Sequence, residues 1–251
     1  MTGFTEIPHL PRGKAAAIAV GEDYAPRLAP ALKSLGIEVL VCPRNPLLDR
    51  RLASHIDLSL IHLGKNRFII SKNLAKSDFA RALSDMGAEL HYSESEPGPD
   101  YPEDASLCAL MVRNVLFHNF KYSDSSLKKL SEYRHVQVGQ GYAKCAVCLV
   151  DENAAITADA GMASAMRKEG LDVLEISAGG ISLPGFGCGF IGGSALKISP
   201  DLLAFTGNIL QHPDCHAILR FLSERGIEPV FLTDSPIFDS GSIILLSDLP
   251  Y

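Results

Sequence analysis

The chain has 251 residues, 47% of them hydrophobic and 21% charged, with a formal net charge of −6. This composition suits a globular protein with a sizeable core and excludes a disordered chain. The longest apolar runs, such as AAAIAV and SIILL, are too short to span a bilayer, and no Lys/Arg cluster exceeds a pair, so neither a membrane nor a nucleic acid is expected as partner.

In chain order, the opening MTGFTEIPHLPRGK shows no charged-then-apolar leader pattern, and residues 1–13 read as an N-terminal extension. Six cysteines in a chain this long do not suggest a disulfide scaffold, and a cytoplasmic location would keep them as thiols. Five segments carry apolar residues at helical spacing: Tyr24–Gly36, Ala75–Gly87, Ser123–Tyr133, Gly161–Gly170 and Pro213–Gly226. Four of them end in glycine, a usual helix stop, and Ser123 and Asp159 stand where N-caps belong.

After each helix comes a short strand-like run: IEVLVCP, AELHYSE, HVQVGQ, LDVLEIS and IEPVFLTD. Before four of the helices lie two strand-like runs joined by a turn containing GKN, VRN, DEN or SPD, the chemistry of hairpin loops. The first helix has only AAAIAV before it, and a helix-less strand, GSIILLSD, waits at the other end of the chain. Pairing the two completes a fifth ββαβ unit. The expected fold is therefore α/β, five ββαβ units in a pseudo-fivefold closed ring, formed by residues 1–251 as one domain.

That repeat resembles the pentein, or α/β-propeller, superfamily over roughly Lys14 to Leu246. The superfamily contains guanidino-group modifying enzymes, such as amidinotransferases and deiminases, and non-catalytic members such as a ribosome anti-association factor. The resemblance implies a Cys nucleophile at the start of an inner strand, a His in an H-x-D/E pattern at the start of another, and carboxylates that clamp a guanidinium. The family places the Cys in the last strand and the His in the fourth unit. Here Ile243 and Ile244 occupy the first position and Phe190 the second. A rotated version of the site is offered instead by His55-Ile56-Asp57 and by Cys145, which open strands two units apart around the ring.

The segment GYAKCAVCLV also contains a C-x-x-C. Side chains alternate faces along a strand, so Cys145 and Cys148 would point to opposite sides and could not chelate one metal or form a disulfide. No metal or other cofactor is implied. Cys145 alone reads either as a small buried hydrophobe or as a nucleophile. His55 and Asp57 would share a strand face, where the carboxylate could hold the imidazole tautomer, or they could be a polar strand entrance near solvent. Asp159 and Asp239 are further carboxylate candidates for substrate binding, with an N-cap and a turn residue as the structural alternatives. Asn114 and Gly192 complete the expected substrate contacts. The literal G-x-G-x-x-G, Gly187 to Gly192, leads into the short alternating run SALKIS before Pro200, too short for the long helix of a dinucleotide fold.

Two functions follow. One is a hydrolase or transferase acting on a small guanidino-type molecule through Cys145 and His55. The other is a non-catalytic pentein that binds a small molecule or a protein partner. No feature of the sequence speaks to oligomeric state.

Overall fold

The computed structural model describes residues 3–249. Its strands form five three-stranded sheets of one topology. The first sheet joins both ends of the chain: β1 (Lys14–Gly21) lies between β2 (Glu38–Cys42) and the last strand, β15 (Ile244–Leu249). The second contains β3 (Leu60–His62), β4 (Arg67–Ile70) and β5 (Glu89–Tyr92), and the third β6 (Leu110–Val112), β7 (Val115–His118) and β8 (Arg134–Gln137). The fourth contains β9 (Val147–Asp151), β10 (Ala154–Thr157) and β11 (Asp172–Glu175), and the fifth β12 (Ala195–Ser199), β13 (Leu202–Phe205) and β14 (Glu228–Phe231). In every sheet the middle strand runs antiparallel to one neighbour and parallel to the other. A parallel neighbour needs a crossover, and a helix supplies it each time: α1 (Ala25–Ser34), α2 (Asp78–Asp85), α3 (Ser125–Lys128), α4 (Ala160–Lys168) and α5 (Cys215–Ser223).

The glycine stops work as their sequence positions suggest. Gly36, Gly87, Gly170 and Gly226 all have positive φ, between 65° and 94°, which a Cβ would disfavour. The third helix has no such glycine and shrinks from the expected Ser123–Tyr133 to four residues. Leu127 is its one buried side chain, too little apolar surface to hold a longer helix, and Asp124 rather than Ser123 caps it by accepting from the Ser126 N–H. At α4 the cap is Asp159, which accepts from the Met162 N–H at 2.8 Å.

Burial falls off across each sheet. In the second to fifth sheets the first two strands are almost wholly buried, whereas the third strands β5, β8, β11 and β14 are half-buried to exposed. Alternate residues of the buried strands serve different apolar clusters. Val147 and Leu149 pack with Val112 and Phe117 of the third sheet, while Cys148 and Val150 pack with Leu203 and Phe205 of the fifth. The remaining clusters join the fifth sheet to the first, the first to the second and the second to the third. Phe68, Phe117 and Phe205 are the largest fully buried side chains and sit on middle strands. Truncating one to Ala costs about 3–5 kcal/mol.

Residues before β1 are held to the sheets. The Thr5 N–H donates to Leu246 O, the Lys65 N–H donates to Thr5 O, and Phe4 packs edge-on against Phe68. The Gly187–Gly192 segment is followed by a short 3-10 turn and then β12, not by the helix a dinucleotide fold requires. No helix among the described residues is long and apolar enough to cross a membrane.

Candidate active site

Four of the five sheets send the segment before their first strand to one cleft of about 300 Å³. Leu52, His55, Asp57 and Leu58 come from the approach to β3, Tyr142 and Cys145 from the approach to β9, Leu183 to Phe190 from the approach to β12, and Asp239 from the approach to β15. The approach to β6 lies just behind, where Cys108 packs with Cys145, Leu52 and Leu58.

Neither His55 nor Cys145 is in a strand, contrary to the sequence expectation. Ile56–Leu58 form a 3-10 turn, with His55 at its N-terminal end accepting from the Leu58 N–H. Cys145 lies in a turn closed by the Ala146 N–H donating to Tyr142 O, and β9 begins only at Val147. The strand-alternation argument therefore holds for Cys148, which points into the core, but does not govern Cys145. The neighbouring Lys144 Nζ donates to Gly192 O at 3.2 Å and to Ser242 Oγ at 3.1 Å, immediately behind the cleft.

A ring nitrogen of His55, a carboxylate oxygen of Asp57 and the Cys145 Sγ all lie within 4.8 Å of one another, and all three residues are buried. One oxygen of Asp57, Oδ2, accepts from Ser242 Oγ at 2.6 Å; the other, Oδ1, is buried without a hydrogen-bond partner among the described residues. The Tyr24 hydroxyl is 3.2 Å from His55 Nε2. Asp239 faces the thiol, with its oxygens 3.4 and 3.5 Å from Sγ, and is itself held by the Phe190 and Gly241 N–H groups at 2.8 Å each. Close approach here demands glycine. A Cβ at Gly193 would meet Asp239 Oδ1 at 1.9 Å and Cys145 Sγ at 2.7 Å, and one at Gly241 would meet the His55 Cα at 2.2 Å.

Burial pushes the Cys145 thiol well up, and the neighbouring Asp239 and Asp57 push the same way. Burial also raises Asp239, against a lowering by His55. The shift on Cys145 favours the protonated thiol, which lies within 3.5 Å of the two Asp239 oxygens. One imidazole, one carboxylate and one thiol at this separation are also a donor set that a borderline-soft divalent cation can take.

The structure brings together Cys145, His55, Asp57 and Asp239. It does not bring in the other expected substrate contacts. Asp159 is committed as the α4 cap, its second oxygen taking the Gln140 side-chain amide at 2.8 Å. Asn114 is exposed in the β6–β7 hairpin turn, at the far end of the first strand from the cleft. Gly192 is buried behind Cys145, and a Cβ there would strike Val147 O at 2.2 Å. Sequence reasoning missed Ser242, although it follows Asp239 in the DSGS approach to β15, the counterpart of the approach that carries His55. It also missed Tyr24 and Tyr142, whose positions carry no local signal.

A model for a family described as a family of unknown function (DUF6873) matches residues 19–244. The chain belongs to this family. No curated protein matches the chain. Solved structures similar to this DUF6873 member include an agmatine deiminase from C. jejuni, at 12% identity and a TM-score of 0.54, covering 92% of this chain and 90% of that one. The cyanobacterial arginine dihydrolase ArgZ is similar at 11% identity and a TM-score of 0.55, covering 94% of this chain but 39% of that one. The N-terminal domain of ArgZ bound to product is similar at 11% identity and a TM-score of 0.54, over 92% of this chain and 97% of that one. At such identities the likeness establishes the α/β fold of these deiminase-like structures.

Proposed function

We propose that this DUF6873 chain is a single-domain closed α/β-propeller that acts on the carbon–nitrogen bond of a small guanidino-type molecule, with Cys145 as nucleophile. The observation that carries the reading is the unpartnered Asp57 Oδ1 beside the Cys145 thiol and the His55 ring, on the floor of a cleft otherwise walled by apolar side chains. The five apolar clusters that link the sheets in cyclic order, and the guanidino-modifying enzymes among the similar folds, support it.

A guanidinium is planar and forked, and carboxylates on either side match its N–H donors. Asp57 Oδ1 and Asp239 would hold it with its central carbon against Sγ. Burial and the two carboxylates keep the thiol protonated, and the positive charge of the substrate would offset the carboxylate part, which shifts the balance toward the thiolate. The thiol proton passes to His55 as the S–C bond forms. One C–N bond then breaks and its amine leaves with a proton from His55. Water adds to the resulting thiouronium carbon, giving up a proton to His55, and the S–C bond breaks to restore the thiol. If an amine adds instead of water, the same sequence is a transfer.

The test is mass spectrometry of the intact protein quenched during incubation with guanidino compounds. A covalent increment on Cys145, absent in Cys145→Ser and formed much more slowly in His55→Ala, is the expected result. Turnover undiminished in Cys145→Ser would sink the assignment. A second reading, a non-catalytic pentein that binds a ligand in this cleft, is favoured by the raised thiol and by Phe190 and Ile244 at the family's usual catalytic positions. Ligand binding with no covalent increment on any thiol would decide for it.

A further inference from the structure

The walls of the cleft say more than its floor. Above the two carboxylates, His55 and Cys145, the walls are Leu52, Leu58, Leu183, Phe186, Phe190 and Tyr142, with Gly187 and the exposed thiol of Cys188 completing the lining. Tyr142 offers its ring alone, because its hydroxyl is spent on Asp104 Oδ2 at 2.6 Å, and Asp104 does not itself line the cleft. No lysine or arginine lines it among the described residues.

Arg51, beside the cleft residue Phe186, is already paired. Its Nε and Nη2 donate to Asp49 at 2.9 and 2.8 Å, its Nη1 donates to Gly185 O at 3.1 Å, and its guanidinium lies 4.6 Å over the Phe186 ring. An amino-acid carboxylate carried into this cleft would meet leucine and phenylalanine with no counter-ion, and burying an unpaired charge is costly. A second cationic end would face the same walls, since both carboxylates are taken by the guanidinium at the floor.

We infer that the substrate is a guanidine with an uncharged, apolar tail, aliphatic or aromatic, and not a free amino acid or a diamine-type dication. This rests on the guanidino reading of the site. Its chemical sense is a division of labour: Asp57 and Asp239 select the cationic head, and Phe186, Phe190 and the leucines select a tail by removing apolar surface from water.

The experiment uses the wild-type protein and two thiol reagents of one shape, chloroacetamidine, which is cationic, and chloroacetamide, which is neutral. Each alkylates a thiol with loss of chloride, and labelling of Cys145 is followed by peptide mass spectrometry. Faster labelling by the amidine is expected from the carboxylate floor. Guanidines then compete: methyl-, butyl- and hexylguanidine, agmatine and arginine. The protecting concentration is expected to fall about fourfold for each methylene that becomes buried, and arginine is expected to protect roughly a hundredfold less well than hexylguanidine. Phe190→Ala should flatten the dependence on chain length while keeping the preference for the amidine.

If the amidine is preferred but arginine or agmatine protects as well as hexylguanidine, the tail inference is overturned and the guanidino reading stands. If the amidine shows no preference, the guanidino reading fails and the inference falls with it.

Discussion

The two ends of the same strands are built on opposite terms. At the hairpin end, tight turns put polar residues in water: Lys65 and Asn66, Arg113 and Asn114, Glu152 and Asn153 are all at least partly exposed, and Lys65 and Arg113 adopt positive φ near 54°. At the approach end, His55, Asp57, Cys145, Asp239 and Ser242 are as polar but are buried, held by one another and by backbone N–H groups. A turn in water has its hydrogen bonds supplied by solvent. A buried polar cluster has to supply its own, and here one acceptor, Asp57 Oδ1, is left without a donor among the described residues.

Substitutions at the two ends should therefore read out differently, and the largest difference is expected at Cys145. Cys145→Ser should abolish covalent labelling by chloroacetamidine, a loss on the order of a thousandfold or more, while shifting the thermal midpoint little, since one sulfur becomes an oxygen in the same hydrogen-bonding site. Labelling that persisted at that residue's peptide would move the nucleophile elsewhere. Asp57→Asn should come next. The amide oxygen can still accept from Ser242, but the charge is gone, so the advantage of the amidine over the neutral amide should fall by about tenfold or more. An unchanged ratio would leave cation selection to Asp239 alone.

Alkaline pH should act on the buried side of the comparison only. Cys42 and Cys148 are pushed up to about 12 by burial, and Cys108 and Cys145 are raised as well. A thiol raised in the native state contributes stability below its unfolded pKa of about 8.5 and loses it as pH rises from there toward the native value. The midpoint of urea unfolding should accordingly decline above about pH 8.5, and Cys148→Ala should lessen the slope. A flat profile to pH 11 would mean these thiols titrate alike in both states.

At the hairpin end the effects are smallest and of opposite sign. Lys65→Gly relieves a left-handed backbone and should raise stability by up to about 1 kcal/mol, less the entropy glycine adds to the unfolded chain. Asn114→Ala should leave the labelling of Cys145 within about twofold, as expected for an exposed substitution away from the cleft. A larger change would connect that turn to the site.

The strand-strand-helix-strand rhythm could be read from the chain because local rules write it: apolar spacing, glycine stops and hairpin residues are each encoded within a few positions. The pairing of GSIILLSD with AAAIAV was legible for the same reason, as a unit missing a strand at one end and a strand missing a unit at the other. His55, Asp57, Cys145 and Asp239 were visible as residue types at strand approaches. Their exact geometry was not, because Ile56–Leu58 and the turn before Val147 are set by backbone hydrogen bonds that no alternation of side chains foretells. Asp159, Asn114 and Gly192 do not line the cleft, and the sequence could not show this: polarity or a glycine near a strand end does not say which end of the sheet it occupies or whether a nearby N–H has already claimed it.

The sequence by itself determined the repeat, the closure of the first sheet by the last strand, and the set of chemical groups that could act. Only the tertiary structure decided that segments 49 to 185 residues apart meet in one cleft, that Lys144 reaches Ser242, and that Asp239 faces the thiol. The physical reason is range. Helices, turns and caps are settled by neighbours along the chain, whereas the charge on Cys145 is settled by which carboxylates the packing of five sheets happens to bring beside it.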